Sequence, residues 1–230
     1  MTKFSDNDSP SLLFTEQGSN PSTPASSKWR LFFKSTGLFI IEDTGSTVGP
    51  MISSAGAGAV TLITDTTVAG SPAANFDFTS ISGSYKHLRL YVQGRSNDSS
   101  SGFMAINMTF NNDTGANYDW QRITTTTGSV AAAASAGQTS ARIGLTLGDT
   151  SAAANNAGGT IIEIPNYAAT VFNKNAQGAG HEFASTSTTL FLSETNYMTW
   201  RNTAAITRVT LTPNAGSWKI GSRATLYGIS

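Results

Sequence analysis

The sequence predicts an all-β protein whose main part is an antiparallel β-sandwich of jelly-roll type, and three observations support this class. Short segments rich in β-branched and aromatic residues follow one another from residue 60 to residue 229. Turn signals such as Asn214-Ala215-Gly216 separate them. No sustained helical pattern competes, since the best helical segment, Val130–Ala136, is an alanine run without an amphipathic stripe. Many short strands without helical crossovers favour a sandwich.

The predicted strands of this distal domain, residues 59–230, are assigned from alternating polar and apolar residues. They are Val60–Val68, Asn75–Ile81, His87–Gln93, Phe103–Phe110, Tyr118–Thr126, Ala141–Leu147, Thr160–Ile164, Ala169–Lys174, His181–Phe183, Thr188–Glu194, Tyr197–Arg201, Ile206–Thr212 and Arg223–Ile229. Two stretches of small residues, 129–137 and 151–159, are predicted to be loops.

Residues 1–27 are predicted to form an extended arm or linker. Serine, proline and acidic residues dominate this segment, which buries too little apolar surface to offset its chain entropy. Three consecutive apolar residues interrupt it: Leu12, Leu13 and Phe14. They are predicted either to anchor the chain to another protein or to belong to an idle tail.

Residues 28–50 are predicted to form a small β-hairpin module that assembles with other copies. Its first strand places Trp29, Leu31 and Phe33 on one face and Phe32 on the other, and a turn follows at residues 35–37. The second strand is apolar on both faces: Leu38 and Ile40 lie on one, Phe39 and Ile41 on the other. Because so small a unit cannot cover both faces, these residues are predicted to form an oligomer interface. Residues 51–58, rich in glycine and serine, are predicted to be a hinge.

Composition excludes several partners. Fourteen basic and fourteen acidic residues cancel, so the chain has no general field for binding nucleic acid. No apolar run approaches the roughly 20 residues that span a bilayer, so membrane insertion is not expected. The first residues lack the apolar core of a signal peptide, so we expect synthesis in a cytoplasm. The absence of cysteine excludes disulfides and thiolate metal sites.

The sequence carries no catalytic signature, and a non-enzymatic protein without a cofactor is predicted. Its acidic residues are scattered singly, and it has only two histidines. His87 is predicted to lie opposite Leu88 on a strand or at a sheet edge, and His181 in a turn. The glycine-rich segments at 56–60 and 137–144 lack the Lys-Ser/Thr ending of a phosphate-binding loop.

Two binding possibilities remain open. Oxygen donors cluster in the segment Asn111–Asp119, as in calcium sites, although an Asx-rich β-turn has the same composition. Aromatic residues beside amide or carboxylate groups suit sugars, and Tyr197 and Trp218, which are nearest to predicted turns, are the receptor or glycan candidates. Strand placement favours a core or interface role for Trp120 and Trp200.

Several stretches together resemble virion proteins of tailed bacteriophages. Residues 21–50, PSTPASSKWRLFFKSTGLFIIEDTGSTVGP, are similar to a recurrent module with a Pro/Ser linker, an aromatic strand, Lys-x-x-Gly, a second apolar strand and Asp-x-Gly. Residues 205–230, AITRVTLTPNAGSWKIGSRATLYGIS, are similar to the closing strands of phage fibre and spike domains. Two middle stretches also fit: residues 76–96, FDFTSISGSYKHLRLYVQGRS, and 110–120, FNNDTGANYDW.

This resemblance implies a homotrimeric tail fibre or spike on the virion surface, made in the host bacterial cytoplasm. The arm would attach to other virion proteins of the tail or head, and the sandwich would face the host surface, where a glycan is a further candidate partner. A capsid-decorating head fibre or cement protein is the alternative within the same class. A carbohydrate-binding module of a secreted bacterial system is a second alternative, which requires a secretion signal.

Overall fold

The computed structural model describes residues 18–35, 37–53, 60–100, 102–149, 155–183 and 191–230. The chain divides into two compact units, residues 1–59 and residues 60–230. All the regular elements in the described ranges are β-strands, arranged in three antiparallel sheets, so the predicted all-β class is confirmed. The described residues contain no helix long and apolar enough to cross a membrane. The predicted anchor residues Leu12, Leu13 and Phe14 lie outside the described residues.

The first unit is a three-stranded sheet in the order β1-β2-β3. Its strands are β1, Arg30–Lys34, β2, Gly37–Ile41, and β3, Thr47–Ser53. The first three residues of the predicted hinge 51–58 therefore belong to β3, and 54–58 lie outside the described residues. The register pairs Leu31 with Ile40 and Phe32 with Phe39, as the predicted division into two faces requires.

The second unit contains twelve strands in the described residues. They are β4, Val60–Thr67, β5, Phe76–Phe78, β6, His87–Gly94, β7, Phe103–Phe110, β8, Tyr118–Thr126, β9, Ser129–Gln138, β10, Ala141–Leu147, β11, Gly158–Pro165, β12, Lys174–Phe183, β13, Phe191–Trp200, β14, Val209–Pro213, and β15, Arg223–Ile229. An eight-stranded sheet has the order β4-β15-β6-β11-β12-β13-β8-β9, and a four-stranded sheet has the order β10-β7-β14-β5.

Alternation of side chains along the strands of the eight-stranded sheet supplies one side of the core between these two sheets. Leu88, Leu90 and Val92 point inward from β6, while the residues between them point outward. Ile106 and Met108 of β7 meet them from the four-stranded sheet and are fully buried in the same cluster. The arrangement is that of a β-sandwich; jelly-roll connectivity stays a prediction.

The alanine run predicted to be a loop is instead strand β9, which pairs with β8 at the end of the eight-stranded sheet. Its register pairs Ala134 with Gln121 and Ala132 with Ile123. Main-chain hydrogen bonds hold this edge strand in the sheet. Its small side chains therefore show no alternation from which a strand could be predicted. The second predicted loop, residues 151–159, overlaps β11 at Gly158 and Gly159, and residues 151–154 lie outside the described residues.

Several predicted strands differ from the structure in their extent. Ala169–Lys174 is mostly a turn region, because the buried Lys174 ammonium donates hydrogen bonds to the carbonyls of Ala169, Phe172 and Thr203 and closes it. The residues after Lys174 run as one strand through His181, so His181 lies in β12 and not in a turn. The segments predicted around Glu194 and Tyr197 are a single strand, β13.

Candidate functional site

The outward side chains of strands β6, β8, β11, β12, β13 and β15 form one surface, here called the grooved face. The register sets residues from neighbouring strands side by side across it. One row contains Tyr227, Arg89, Glu163, Gln177, Tyr197 and Gln121. The next row contains Thr225, Tyr91, Ile161, Ala179, Thr195 and Ile123. Aromatic rings, amides and hydroxyls therefore share this face with one charged pair and with apolar side chains.

Shallow grooves divide this face, and Tyr197 borders several of them. A groove of about 790 Å3 lies over strands β9, β8, β13 and β12, with Asp119, Gln121 and Tyr197 in its lining. A second, of about 520 Å3, lies on the other side of Tyr197 and reaches Gln177 and Arg89. A third, of about 770 Å3, contains Tyr91, Tyr227, Ile161, Thr195 and His181.

The arginines on this face are paired with carboxylates. Arg89 donates from Nε to Glu163 Oε1 at 2.9 Å, and Arg223 donates from Nε to Asp65 Oδ1 at 2.7 Å. Near the first groove, Arg201 Nη1 lies 3.2 Å from Asp119 Oδ1. The hydrogen bonds from Arg223 hold the pKa of Asp65 below its usual range. These pairs leave the described part of the face with balanced charge.

The two predicted glycan residues have opposite environments. Tyr197 is 53% exposed and projects from the middle of β13, not from a turn. Trp218 is fully buried, its ring packs against Phe76 at 4.9 Å, and its Nε1 donates to the carbonyl of Leu211. Trp218 is therefore a core residue, and its prediction as a receptor contact is wrong for the folded chain.

Trp120 and Trp200 lie where strand placement predicted. Trp200 is buried and stacks near Tyr118, and Trp120 is partly buried and packs against the core. Both alternate inward on their strands. Neither ring contributes to the outward row that contains Tyr197.

The histidines lie apart from each other. His87 is opposite Leu88, as predicted, and its Nδ1 accepts a hydrogen bond from the main-chain N–H of Asn166 at 3.1 Å. His181 is exposed on β12 and borders the third groove. Among the described residues, no cluster of three or more histidine, aspartate or glutamate side chains has the arrangement of a metal site.

The segment Asn111–Asp119 is organised by its own hydrogen bonds. Asp113 Oδ1 accepts from the main-chain N–H of Gly115, and Oδ2 accepts from Asn117 and from Trp200 Nε1 at 2.6 Å. The Trp200 hydrogen bond, with those of Asn117 and Gly115, lowers the pKa of Asp113. The carboxylate thus has the environment of an Asx-turn acceptor that ties the loop to the core.

A buried polar cluster lies inside the sandwich. The Glu194 side chain is fully buried and accepts two hydrogen bonds from Arg142, at 2.7 and 2.6 Å, and one from Arg122 at 3.0 Å. Burial opposes its ionisation, but the Arg142 hydrogen bonds and charge outweigh burial and lower the pKa of Glu194. Burial raises the pKa of the neighbouring Glu182 carboxyl to about 9, partly opposed by the charge of Arg142. Thus, one acid of this pair is ionised and the other is neutral at pH 7.

The predicted oligomer interface divides into a covered and an open face. Phe32 and Ile41 are 5% and 3% exposed, and Phe32 stacks on the partly buried Phe39 at 5.6 Å. Lys34 Nζ lies 5.9 and 5.8 Å from the two ring centres. The opposite side, here called the hairpin face, contains Trp29, Leu31, Phe33, Leu38, Ile40 and Val48.

Comparison of the chain with models of protein families, with curated protein sequences and with solved structures finds no match in any of the three. Its functional interpretation therefore depends on the chemistry of the two surfaces and on the resemblance of its sequence stretches.

Proposed function

We propose that the protein is a non-enzymatic structural protein of a bacteriophage virion, a homotrimeric tail fibre or spike. Its N-terminal arm is anchored to the particle, and its sandwich is exposed for attachment to the host surface. The observation that carries this proposal is the hairpin face, where Trp29, Leu31 and Val48 are 63%, 58% and 46% exposed. A small sheet with so much exposed apolar surface needs a partner.

Only one side of this sheet requires a partner. Phe32 and Ile41 are already buried, so only the hairpin face needs a partner. A symmetric contact between copies would bring equivalent Trp29 and Leu31 side chains together. Full burial of a large apolar side chain contributes about 1.5–3 kcal/mol, so a few such residues per chain suffice to hold an oligomer.

The arm residues next to the sheet support an anchored N-terminal module. Arg30 Nη1 donates to the carbonyl of Ser22 at 2.8 Å, and Ser27 N–H donates to Asp43 Oδ2 at 2.6 Å. Asn20 also donates to Thr47 Oγ1. Residues 20–27 thus follow the sheet, which leaves the earlier part of the arm as the segment for docking on the particle. The trimeric state and the virion context come from the sequence resemblance.

Light scattering coupled to size-exclusion chromatography tests the assembly. We expect the assembly to have three times the 24.0 kDa mass of one chain. Leu31→Glu should reduce the mass to that of one chain, because it places charge on the hairpin face. Val171→Glu is the matched control, because Val171 is an apolar residue, even more exposed than Leu31, in the loop between β11 and β12. A monomeric intact chain, or an oligomer unaffected by Leu31→Glu, contradicts the proposal.

Phage particles banded in a density gradient test the virion assignment. Mass spectrometry of the banded particles should detect the chain in a fixed ratio to the major capsid protein. Its absence from infectious particles would contradict a structural role in the virion.

A further inference from the structure

We infer that the grooved face binds a neutral oligosaccharide that lies across strands β13, β12, β11 and β6, with Tyr197 as the main stacking ring. This inference rests on the proposed function, because it takes the sandwich to be the exposed attachment domain. It adds that the glycan is neutral, the path that it follows across the strands, and the residues beside Tyr197 that bind it.

Tyr197 has the position that a sugar-stacking ring requires. It is half exposed in the middle of a strand, and its neighbours in the register are Gln177 on β12 and Gln121 on β8. An aromatic ring covers the apolar face of a sugar, while amides both donate to and accept from its hydroxyls. Asn175, whose Oδ1 accepts from Thr199 Oγ1, adds a third amide where the first two grooves meet.

The grooves form a continuous path from Tyr197 to a second aromatic group. A small groove of about 250 Å3 links Tyr197 to Ile161 and Thr195, and both of these also border the groove that contains Tyr91 and Tyr227. The two rings at that end meet edge to face, 5.8 Å between centres. From β13 to β6 the path crosses three strand spacings, about 14 Å. A ligand of several linked sugar rings can therefore contact aromatic side chains at both ends.

The charges on this face favour an uncharged ligand. Arg89 and Arg201 are each paired with a carboxylate on the same face, and Arg223 is paired with Asp65 of the neighbouring strand β4. An acidic saccharide would have to displace a carboxylate from its arginine or meet both charges together. Hydroxyl groups can hydrogen-bond to these pairs without breaking them, so a neutral polyhydroxylated ligand fits the face as it stands.

The test uses the intact chain on a panel of immobilised oligosaccharides, followed by titration calorimetry. The panel contains neutral glycans built from glucose, galactose, mannose and N-acetylglucosamine, beside acidic glycans containing uronic or sialic acid. We expect binding to at least one neutral glycan and none to its acidic counterparts. Tyr197→Ala should weaken that binding at least tenfold, and Tyr197→Phe should preserve most of it, since the ring is retained.

Phe172→Ala is the matched control, because it removes an aromatic side chain that is even more exposed than Tyr197 from a loop that does not border these grooves. It should leave the affinity unchanged, and thermal unfolding should show that Tyr197→Ala is still folded. The inference is overturned by an absence of binding to the neutral glycans, by a preference for acidic glycans, or by full affinity in Tyr197→Ala.

Light scattering separates this inference from the proposed function. A trimer that binds no neutral glycan overturns only the saccharide inference, whereas a monomeric intact chain overturns the proposed assembly. If Tyr197→Ala dissociates the trimer, the grooved face is an interface between copies, and the saccharide inference is wrong.

Discussion

Gly178 of β12 lies directly against the main-chain carbonyl oxygen of Ile143 of β10. A Cβ atom on Gly178 would be 1.8 Å from that oxygen, which is much shorter than the van der Waals separation of the two atoms. The two sheets therefore approach at this point so closely that main chain packs on main chain. No rotamer change can relieve such an overlap, because the obstructing atom belongs to the backbone.

Gly178→Ala should strongly destabilise the sandwich, by about 3 kcal/mol or more, because β10 must move away from β12. Gly83→Ala is the control, since a Cβ there would have only an ordinary contact of 3.7 Å with Ala168. It should change stability by less than about 1 kcal/mol, in the stabilising direction. Urea unfolding of both variants measures the difference, and equal midpoints would contradict this account of the packing.

Thr160 of β11, in the eight-stranded sheet, hydrogen-bonds to the main chain of β10, which is an edge strand of the four-stranded sheet. Its Oγ1 donates to the carbonyl of Leu145 at 2.8 Å and accepts from the N–H of the same residue at 3.1 Å. Thr160→Val keeps the volume but leaves both buried main-chain groups unpaired, so we expect a loss of about 1–3 kcal/mol. Thr195→Val, on the exposed face of β13, should stay within about 0.5 kcal/mol of wild type. Similar losses in the two variants would show that the Thr160 hydrogen bonds contribute nothing specific.

Strand positions were predictable from the sequence wherever alternation was strong. Strands β7, β8 and β10 match the predicted segments residue for residue. The continuity of β13 was hidden because Glu194 and Asn196, two polar residues, occupy inward positions where the pattern demands apolar ones. The burial of Glu194 depends on arginines from β8 and β10, which are distant in sequence.

The candidate site was only partly predictable for a related reason. Tyr197 was identified from its side-chain type, but its place among Gln121, Gln177 and the grooves depends on the strand order of the sheet. Trp218 was misplaced because its segment looks like a turn. Its main chain forms bridges with Ala73 and Ser96, and these draw the indole into the core. Such contacts between distant segments leave no local pattern.

Arg142 compensates the buried charge of Glu194. Arg142→Met should destabilise the protein by about 3–5 kcal/mol, because an ionised carboxylate would lose two hydrogen bonds in the core. Adding Glu194→Gln to that variant should recover part of the loss, and a double-mutant cycle measures the coupling. Arg208→Met, which breaks the more exposed pair with Asp77, should cost about 1 kcal/mol or less. Additive effects of the Arg142 and Glu194 changes would contradict the coupling.

Glu182 should make the free energy of unfolding decrease as the pH rises. The residue is 1% exposed, and neither carboxyl oxygen has a hydrogen-bond partner among the described residues. Burial raises its pKa to about 9 from an ordinary value of 4.5, with Arg142 lowering it and Glu194 raising it further. Between these two pH values the folded state holds a proton that the unfolded state has released. The stability contributed by the neutral carboxyl is therefore complete below about pH 4.5 and is lost as the pH rises to about 9.

Glu182→Gln replaces the carboxyl by a neutral amide of similar shape and should remove this dependence. Urea unfolding of the wild type and the variant, at one protein concentration and at pH 5, 6, 7, 8 and 9, gives the difference in free energy of unfolding at each pH. We expect the wild type to lose about 2 kcal/mol or more relative to Glu182→Gln over this range, since each pKa unit corresponds to about 1.4 kcal/mol. The acids with lowered pKa values, such as Glu194 and Asp113, titrate below this pH range. Their contributions are the same in both proteins and cancel in the difference between the wild type and Glu182→Gln. A difference that stays constant from pH 5 to pH 9 would show that Glu182 is ionised in the folded chain.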